Sequence, residues 1–374
     1  MRVERDVDRI DAPSRVARPD SPRGGIAAIR SRERATCPSC GGAGAIVHEG
    51  LVDQAFGAPG SWSHRRCADD ACGLVWLDPV PIEEDLPLAY RGYYTHAQET
   101  PRCTPAAVSA GSRADAARPS GARLTGVGGL AAVLWARLSI GRERSRLETF
   151  LLDERPPGCV LEIGCGSGAR LGALRERGWE VEGQEIDATA AGVASELLGR
   201  SAKLHVGRLE DLALVAESYD AVVSSHVLEH VVDPAGLIRE ARRLLRPDGV
   251  LVAITPNAAS LGHRLFGRDW LYLDPPRHLQ IFTPHALARL ARAAGFDADV
   301  RTTSARAESV AAGSLDLRRR ANGRLARSVR DTLGAAFQGA ATLATLAGPE
   351  SGEECVLVAT PTEGGVAKRG ARPA

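Results

Sequence analysis

The sequence has no surplus of charge, no long apolar run and no internal repeat, and each absence narrows what the chain can be. Lys and Arg total 47 against 46 Asp and Glu over 374 residues, so bulk charge points to neither a nucleic-acid nor a membrane partner. No stretch of about 18 uninterrupted apolar residues occurs, which argues against a membrane-spanning helix. The opening, MRVERDVDRIDAPSRVARPDSPRGG, is charged and Pro-rich and lacks the apolar centre of a secretory signal, so the expected location is cytoplasmic. There the eight cysteines read as metal ligands or buried thiols rather than disulfides. What is present is a hydrophobic content of 44%, which suits a globular protein with a real core.

Composition shifts divide the chain. Residues 1–34 read as a disordered tail, 35–98 as a small cysteine-bearing module and 99–128 as an Ala/Ser/Gly/Pro linker. The main domain is expected over 129–362, with a helical insert at 304–350 and a short tail at 363–374. Leu134, Leu138, Leu147 and Leu151 predict a helix within 130–152. After Gly158 the pattern alternates. Strands are predicted at 159–163, 180–186, 203–206, 219–225 and 249–255, with helices at 168–177, 189–199 and 234–245. A helix at 284–294, an extended segment at 297–303 and a last strand at 354–360 follow. The fold class is α/β, a Rossmann-like doubly wound sheet.

The first strand runs into VLEIGCGSGARL, where Gly164, Gly166 and Gly168 precede a helix start. Glycines allow a sharp turn and close approach of a ligand, and the helix offers free N–H groups. Gly164-x-Gly166-x-x-Ala169 also satisfies the dinucleotide fingerprint G-x-G-x-x-G/A, so the loop alone leaves two ligands open. Neighbouring carboxylates weigh between them. Glu162, just before the loop, suits an ammonium group and sits badly beside a pyrophosphate. Glu185, ending the second strand, would accept from ribose hydroxyls in either case.

The run VLEIGCGSG…VEGQEID…GRLEDL…YDAVVSSHVLEHVVDP…LLRPDGVLVAITPN resembles the class I S-adenosylmethionine-dependent methyltransferases over about 155–300, and ECVLVAT resembles their antiparallel last strand. The resemblance implies Glu162, Gly164, Cys165, Gly166 and Gly168 around the methionine moiety, with Glu185 and Ile186 at the ribose. It implies Leu209 and Glu210 by the adenine edge, and Ser225 and His226 at the end of the fourth strand. One departure is Arg208, where many members have Asp.

Methyl transfer to a hydroxyl needs alignment and a base, and histidine titrates near neutral pH. His226, Glu229 and His230 lie past the fourth strand, and His278 lies in DPPRHLQIFTP after the fifth. His230 and His278, with Glu229, are the catalytic candidates. In some relatives acting on catechol-like rings, positions matching 226, 229 and 230 hold a divalent cation, and this set could ligate one. Arg277 and His278 shape an acceptor pocket or simply pack, and Trp270 and Tyr272 wall it or cover the sheet edge.

Cys37-Pro-Ser-Cys40-Gly and Cys67-x4-Cys72-Gly form two knuckles able to offer four sulfur ligands to structural zinc, with His48 or His64 as replacements if the wider loop fails to close. CPSCGG…RRCADDACGLVWLDP…YRGYYTH resembles the zinc-binding N-terminal domain fused to certain bacterial methyltransferases of sugar and secondary metabolism. Over 35–98 there are three basic residues against eight acidic, the wrong sign for RNA. The 304–348 stretch suggests a lid or dimer contact ahead of a membrane-surface contact. The expected activity is methylation of a small molecule, first a hydroxyl of a sugar or natural product. C-methylation of a nucleotide-linked sugar comes next, ahead of an rRNA methyltransferase, an NAD-dependent oxidoreductase or a non-catalytic cofactor binder.

Overall fold

A computed structural model describes residues 28–91, 139–199, 202–319 and 326–362. The expected linker at 99–128, the last tail and most of the first lie outside them. Three short elements come first among the described residues: β1 (Ser31–Arg32), β2 (Gly44–Leu51) and β3 (Trp62–Cys67). Then come β4 (Val75–Leu77), β5 (Val80–Pro81) and the single turn α1 (Leu86–Ala89). Residues 139–148 are helical (α2), inside the stretch whose leucine spacing predicts a helix.

The main sheet follows the predicted alternation closely. β6 (Cys159–Ile163), β7 (Glu180–Glu185), β8 (Lys203–Val206) and β9 (Tyr219–Ser225) are connected by α3 (Ala169–Glu176) and α4 (Ala188–Leu198). α5 (Pro234–Leu244) leads into β10 (Leu245–Pro256). This strand starts earlier than predicted because Leu245 pairs with Tyr219 before a register shift, and the regular ladder resumes at Val250. The chain continues through α6 (Leu261–Phe266), β11 (Gln280–Ile281), α7 (Pro284–Ala293) and β12 (Phe296–Thr303). It closes with α8 (Ala307–Arg319), α9 (Arg327–Ala347) and β13 (Glu354–Pro361).

Seven strands stand in the order β12-β13-β10-β9-β6-β7-β8. The five from β10 to β8 are parallel, and β13 runs antiparallel between β10 and β12, as expected of the last strand. The central parallel strands β6, β9 and β10 carry apolar runs because both faces are covered there. Leu161, Ile163 and Val222 pack with Ile238 of α5 and Leu287 of α7. The alternate residues Val160, Ala221 and Val223 pack with Leu171 and Leu174 of α3 and with Phe150. Three helix starts have a reason in the sequence: Asp187, Asp233 and Thr283 accept hydrogen bonds from the first-turn N–H groups of α4, α5 and α7.

The cysteine-bearing region is joined to the rest by backbone. Its sheet, in the order β11-β4-β3-β2, takes its outer strand from residues 280–281, with Gln280 opposite Trp76 and Ile281 opposite Val75. Trp62, Val75 and Leu77 share one apolar cluster with Trp270, Leu273, Leu279 and Phe337. The predicted insert is a helical pair, α8 and α9, whose Val310, Phe337 and Ala341 join that same cluster.

Candidate active site

The carboxyl ends of β6, β7, β9 and β10 converge on the glycine loop. Gly164 has φ +69°, and a Cβ there would stand 2.5 Å from Val227 Cγ2. Gly166 has φ +54° with nothing within 4 Å of where its Cβ would be, so backbone is presented to open space. Glu162 lies beneath the loop, 3% exposed, and its Oε2 has no hydrogen-bond partner among the described residues. Burial pushes this carboxyl up to about 8, with Arg170 pulling against the shift and Glu185 adding to it.

Glu185 is held still by backbone. Its Oε2 accepts from Gly166 N at 2.8 Å, and its Oε1 accepts from Ile186 N at 2.8 Å and Asp187 N at 3.0 Å. Ile186 is 66% exposed beside it. Cys165 is buried, and burial drives its thiol far up. Leu209 is buried in the core. Glu210 accepts from Arg208 Nε at 2.6 Å, and Arg208 also pairs with Glu83, so the departure at position 208 ties this edge to the N-terminal region. Ser225 Oγ is enclosed without a partner among the described residues.

Past β9 a chain of charges is buried. His226, at φ +56°, offers Nδ1 to Glu229 Oε1 at 3.1 Å and Nε2 to Glu354 Oε1 at 2.8 Å. Burial disfavours its charge, but hydrogen bonds to the two carboxylates outweigh it and hold the imidazole above its usual range. Glu354 also accepts from the Tyr272 hydroxyl at 2.9 Å and pairs with Arg306 at 3.4 Å. Thr255 Oγ1 donates to Glu229 Oε2 at 2.9 Å. Despite burial, these partners hold Glu229 and Glu354 down to about 2.

His230 and His278 meet edge to face, ring centroids 4.6 Å apart, and with Glu229 they offer three ligand atoms within 4.8 Å of one another. His278 Nδ1 lies 2.7 Å from the Tyr272 carbonyl, which can only accept, so the ring proton sits on Nδ1 and Nε2 keeps its lone pair. Burial, then His278, push His230 down to about 4. His230 Nδ1 contacts the Tyr90 hydroxyl at 3.0 Å and the Arg277 carbonyl at 3.2 Å. The three positions that hold a divalent cation in some catechol-acting relatives do not come together here: His226 lies between two carboxylates, and the group within ligand reach is Glu229, His230 and His278.

Arg277 packs rather than facing a pocket. Fully buried, its guanidinium reaches Asp274 at 2.5 Å and Asp53 at 2.8 Å, donates to the Ala89 carbonyl at 3.0 Å and stacks over Phe56 at 4.8 Å. Trp270 is likewise a packing residue, wholly buried and stacked on His263 at 4.6 Å. Tyr272 contacts His226 at 5.5 Å between centroids.

Cys37, Cys40, Cys67 and Cys72 bring their sulfurs within 4.8 Å of one another, with Cys37 to Cys72 at 3.7 Å and Cys40 to Cys67 at 3.4 Å. The wider loop closes by a turn in which Cys72 N and Gly73 N both donate to the Asp69 carbonyl. No histidine replacement is needed: His48 Nε2 is 2.9 Å from His263 Nε2, and His64 is buried away from the cluster. Arg289 of α7 donates to Cys72 Sγ at 2.8 Å. Such a donor set suits zinc.

Arg170, Arg306 and Glu354 were not apparent as site residues from the sequence, whereas Tyr90 was expected to contact the main domain and does so at His230. Only Glu354 left a trace there, an acidic residue opening an otherwise apolar strand.

Residues 135–300 match the family described as "Methyltransferase domain". Two curated relatives are ubiquinone biosynthesis O-methyltransferases. That of Cereibacter sphaeroides is 31% identical over 147 residues, and that of Neisseria meningitidis is 30% identical over 151. Each alignment covers 37% of this chain and 60% or 63% of the relative, so the chain spans about three-fifths of their length. Among solved structures, a Haemonchus contortus phosphoethanolamine N-methyltransferase in complex with S-adenosyl-L-methionine aligns at 18% identity and a TM-score of 0.41. That alignment covers 57% of this chain and 51% of that one. The matched residues take in the glycine loop and all five parallel strands, so this part of the chain is similar to a methyltransferase domain.

Proposed function

We propose that this protein is an enzyme that methylates the hydroxyl oxygen of a small molecule, with structural zinc in its N-terminal region. The observation that carries the cofactor reading is the enclosed, unpartnered Oε2 of Glu162 under the glycine loop. A buried carboxylate this costly to ionise is matched by an ammonium. Glu185 has three of about four acceptor sites filled by backbone, which leaves room for one ribose hydroxyl. Gly164, Cys165, Gly166 and Gly168 provide backbone around the methionine moiety. Ile186, Leu209 and Glu210 border the adenosine, and Ser225 and His226 lie at its methyl end. When bound, S-adenosylmethionine supplies an activated methyl group on a sulfonium.

The oxygen acceptor is favoured by the relatives' own description as O-methyltransferases. This chain's part is to hold the acceptor and take its proton. His278 is the base: its lone pair is on Nε2 because the Tyr272 carbonyl fixes the tautomer. His230, neutral near pH 7, lies edge to face with it, and Glu229 fixes His226. His278→Ala should lower kcat about 10²–10⁴-fold, the usual contribution of a positioned base, while leaving cofactor affinity within about twofold. The assay follows demethylated cofactor across a panel of phenols, catechols and sugars. Turnover unchanged in the variant would remove His278 from this role.

The zinc reading rests on the four converging sulfurs. Cys37→Ser with Cys40→Ser should reduce bound zinc from one atom per chain to nearly none, read by elemental analysis. Because β4 pairs with β11, next to His278, the loss should lower activity as well. One retained zinc per chain would refute the assignment.

A further inference from the structure

The inner face of α9 is used for packing: Gly334, Phe337, Gln338 and Ala341 are buried, and Phe337 meets Phe266 at 5.4 Å between ring centroids. The outer face carries Val329, Leu333, Ala336, Ala340, Leu343 and Ala347, all of them exposed. Leu343 is 68% exposed, Val329 45% and Leu333 44%. Their spacing alternates between four and three residues, which keeps all six on one stripe of the helix. From Thr332 to Ala347 the sequence has no charged residue. Contiguous apolar surface of this kind marks a contact with another molecule. No helix among the described residues is long and apolar enough to cross a membrane.

The stripe reads the same in both directions. Reversed about position 338, Val329 falls on Ala347, Leu333 on Leu343 and Ala336 on Ala340. A twofold interface requires such a pattern, because wherever residue i meets residue j, residue j must meet residue i. An antiparallel copy of α9 therefore answers every position. Leu333 meets the partner's Leu343 towards each end, and Ala336 meets the partner's Ala340 at the centre, where small side chains let the helix axes approach closely. Charge agrees with this direction. Exposed Arg327 opens the helix and Glu350, 59% exposed, follows its carbonyl end, so an antiparallel pair brings cation to carboxylate. A parallel pair would set Arg327 against its own copy. We propose that the protein forms a twofold dimer through α9, a second copy of this chain covering the stripe. Gln338 on the same helix holds Ser304 and Glu308, so pairing also braces the turn that carries Arg306.

One helix face per copy makes a small interface, under about 1,200 Å² in total, and a correspondingly weak dimer. The test is sedimentation equilibrium of the full chain over roughly 1–200 µM, the range in which such a contact forms. It is run on the wild type, on Leu333→Glu, Leu343→Lys and Ala340→Arg, and on an equimolar mixture of the first two variants. Folding of each is checked by its melting temperature, and Ala340→Arg serves if either leucine variant fails to fold. Wild type should approach twice the monomer mass, and each variant should weaken association at least about tenfold. The mixture should recover dimer, because the new carboxylate on one chain then faces the new ammonium on the other. A wild type that stays monomeric throughout would overturn the proposal; if it also sedimented with anionic phospholipid vesicles, the stripe would belong to a membrane surface. A dimer that survives in the folded variants would place the interface elsewhere, and a mixture that stays monomeric would overturn the antiparallel pairing.

Discussion

Glu162→Gln is expected to melt at a higher temperature than the wild type at pH 8 while losing the cofactor. In the folded protein the carboxyl is pushed up to about 8, whereas an unfolded chain would ionise it near 4.3. The folded state therefore holds its proton longer. Between about pH 4.3 and 8 the unfolded state releases a proton that the fold retains, so stability falls as pH rises across that window. The full difference is at most about 5 kcal/mol, and the cost of burying an amide in place of the acid brings the expected gain from Gln to about 2–3 kcal/mol. The advantage should vanish below pH 4. The check is the melting temperature of both proteins from pH 4 to 9 without cofactor, then with it. A Gln variant no more stable than wild type at pH 8 would show that Glu162 is already paid for inside the fold. The expected pattern would mark Glu162 as a residue kept for binding at a cost to stability.

Arg277→Met should be among the most damaging single substitutions in the protein. Arg277 is fully buried, and both Asp53 and Asp274 depend on it. Removing one member of a buried ion cluster leaves the others uncompensated, typically at about 3–5 kcal/mol. Asp53 also fastens the N–H groups of Ala55, Phe56 and Ala58, so the damage should reach the loop between β2 and β3. The expected readout is a lower urea midpoint together with new protease cleavage around residues 53–60. Arg277→Lys keeps the charge but loses the planar fork and should lie between the two. A Met variant within about 1 kcal/mol of wild type would mean that the two aspartates find protons or other donors.

Features written in consecutive residues were legible from the sequence. The apolar runs and turns marked β6, β8 and β9 to the residue, and the loop from Glu162 to Gly168 announced itself because strand, turn and helix start are contiguous. The paired cysteines were legible for the same reason. Contacts between distant positions were not. Asp53 and Arg277 are 224 positions apart and Tyr90 and His230 are 140 apart, and nothing local links either pair. β11 is two residues long, too short for any periodicity, yet it joins the cysteine-bearing sheet to the loop carrying His278. Arg170 looks like any helix arginine until its place over the Phe150 ring and its enclosed Nη1, without a hydrogen-bond partner among the described residues, are seen.

The position of β13 has a consequence for how the chain comes into being. It is the last strand among the described residues, yet it lies inside the sheet, hydrogen-bonded to β10 on one side and β12 on the other. On the ribosome, β10 and β12 are made with a vacant slot between them, and each keeps a bare edge until residues 354–361 emerge. The sheet is sealed only once those residues arrive, and with them comes Glu354, the anchor of His226 and Arg306. A nascent chain halted before that point exposes the unpaired edge of the apolar strand β10 and leaves β12 without a sheet neighbour, the kind of surface that holding chaperones shield.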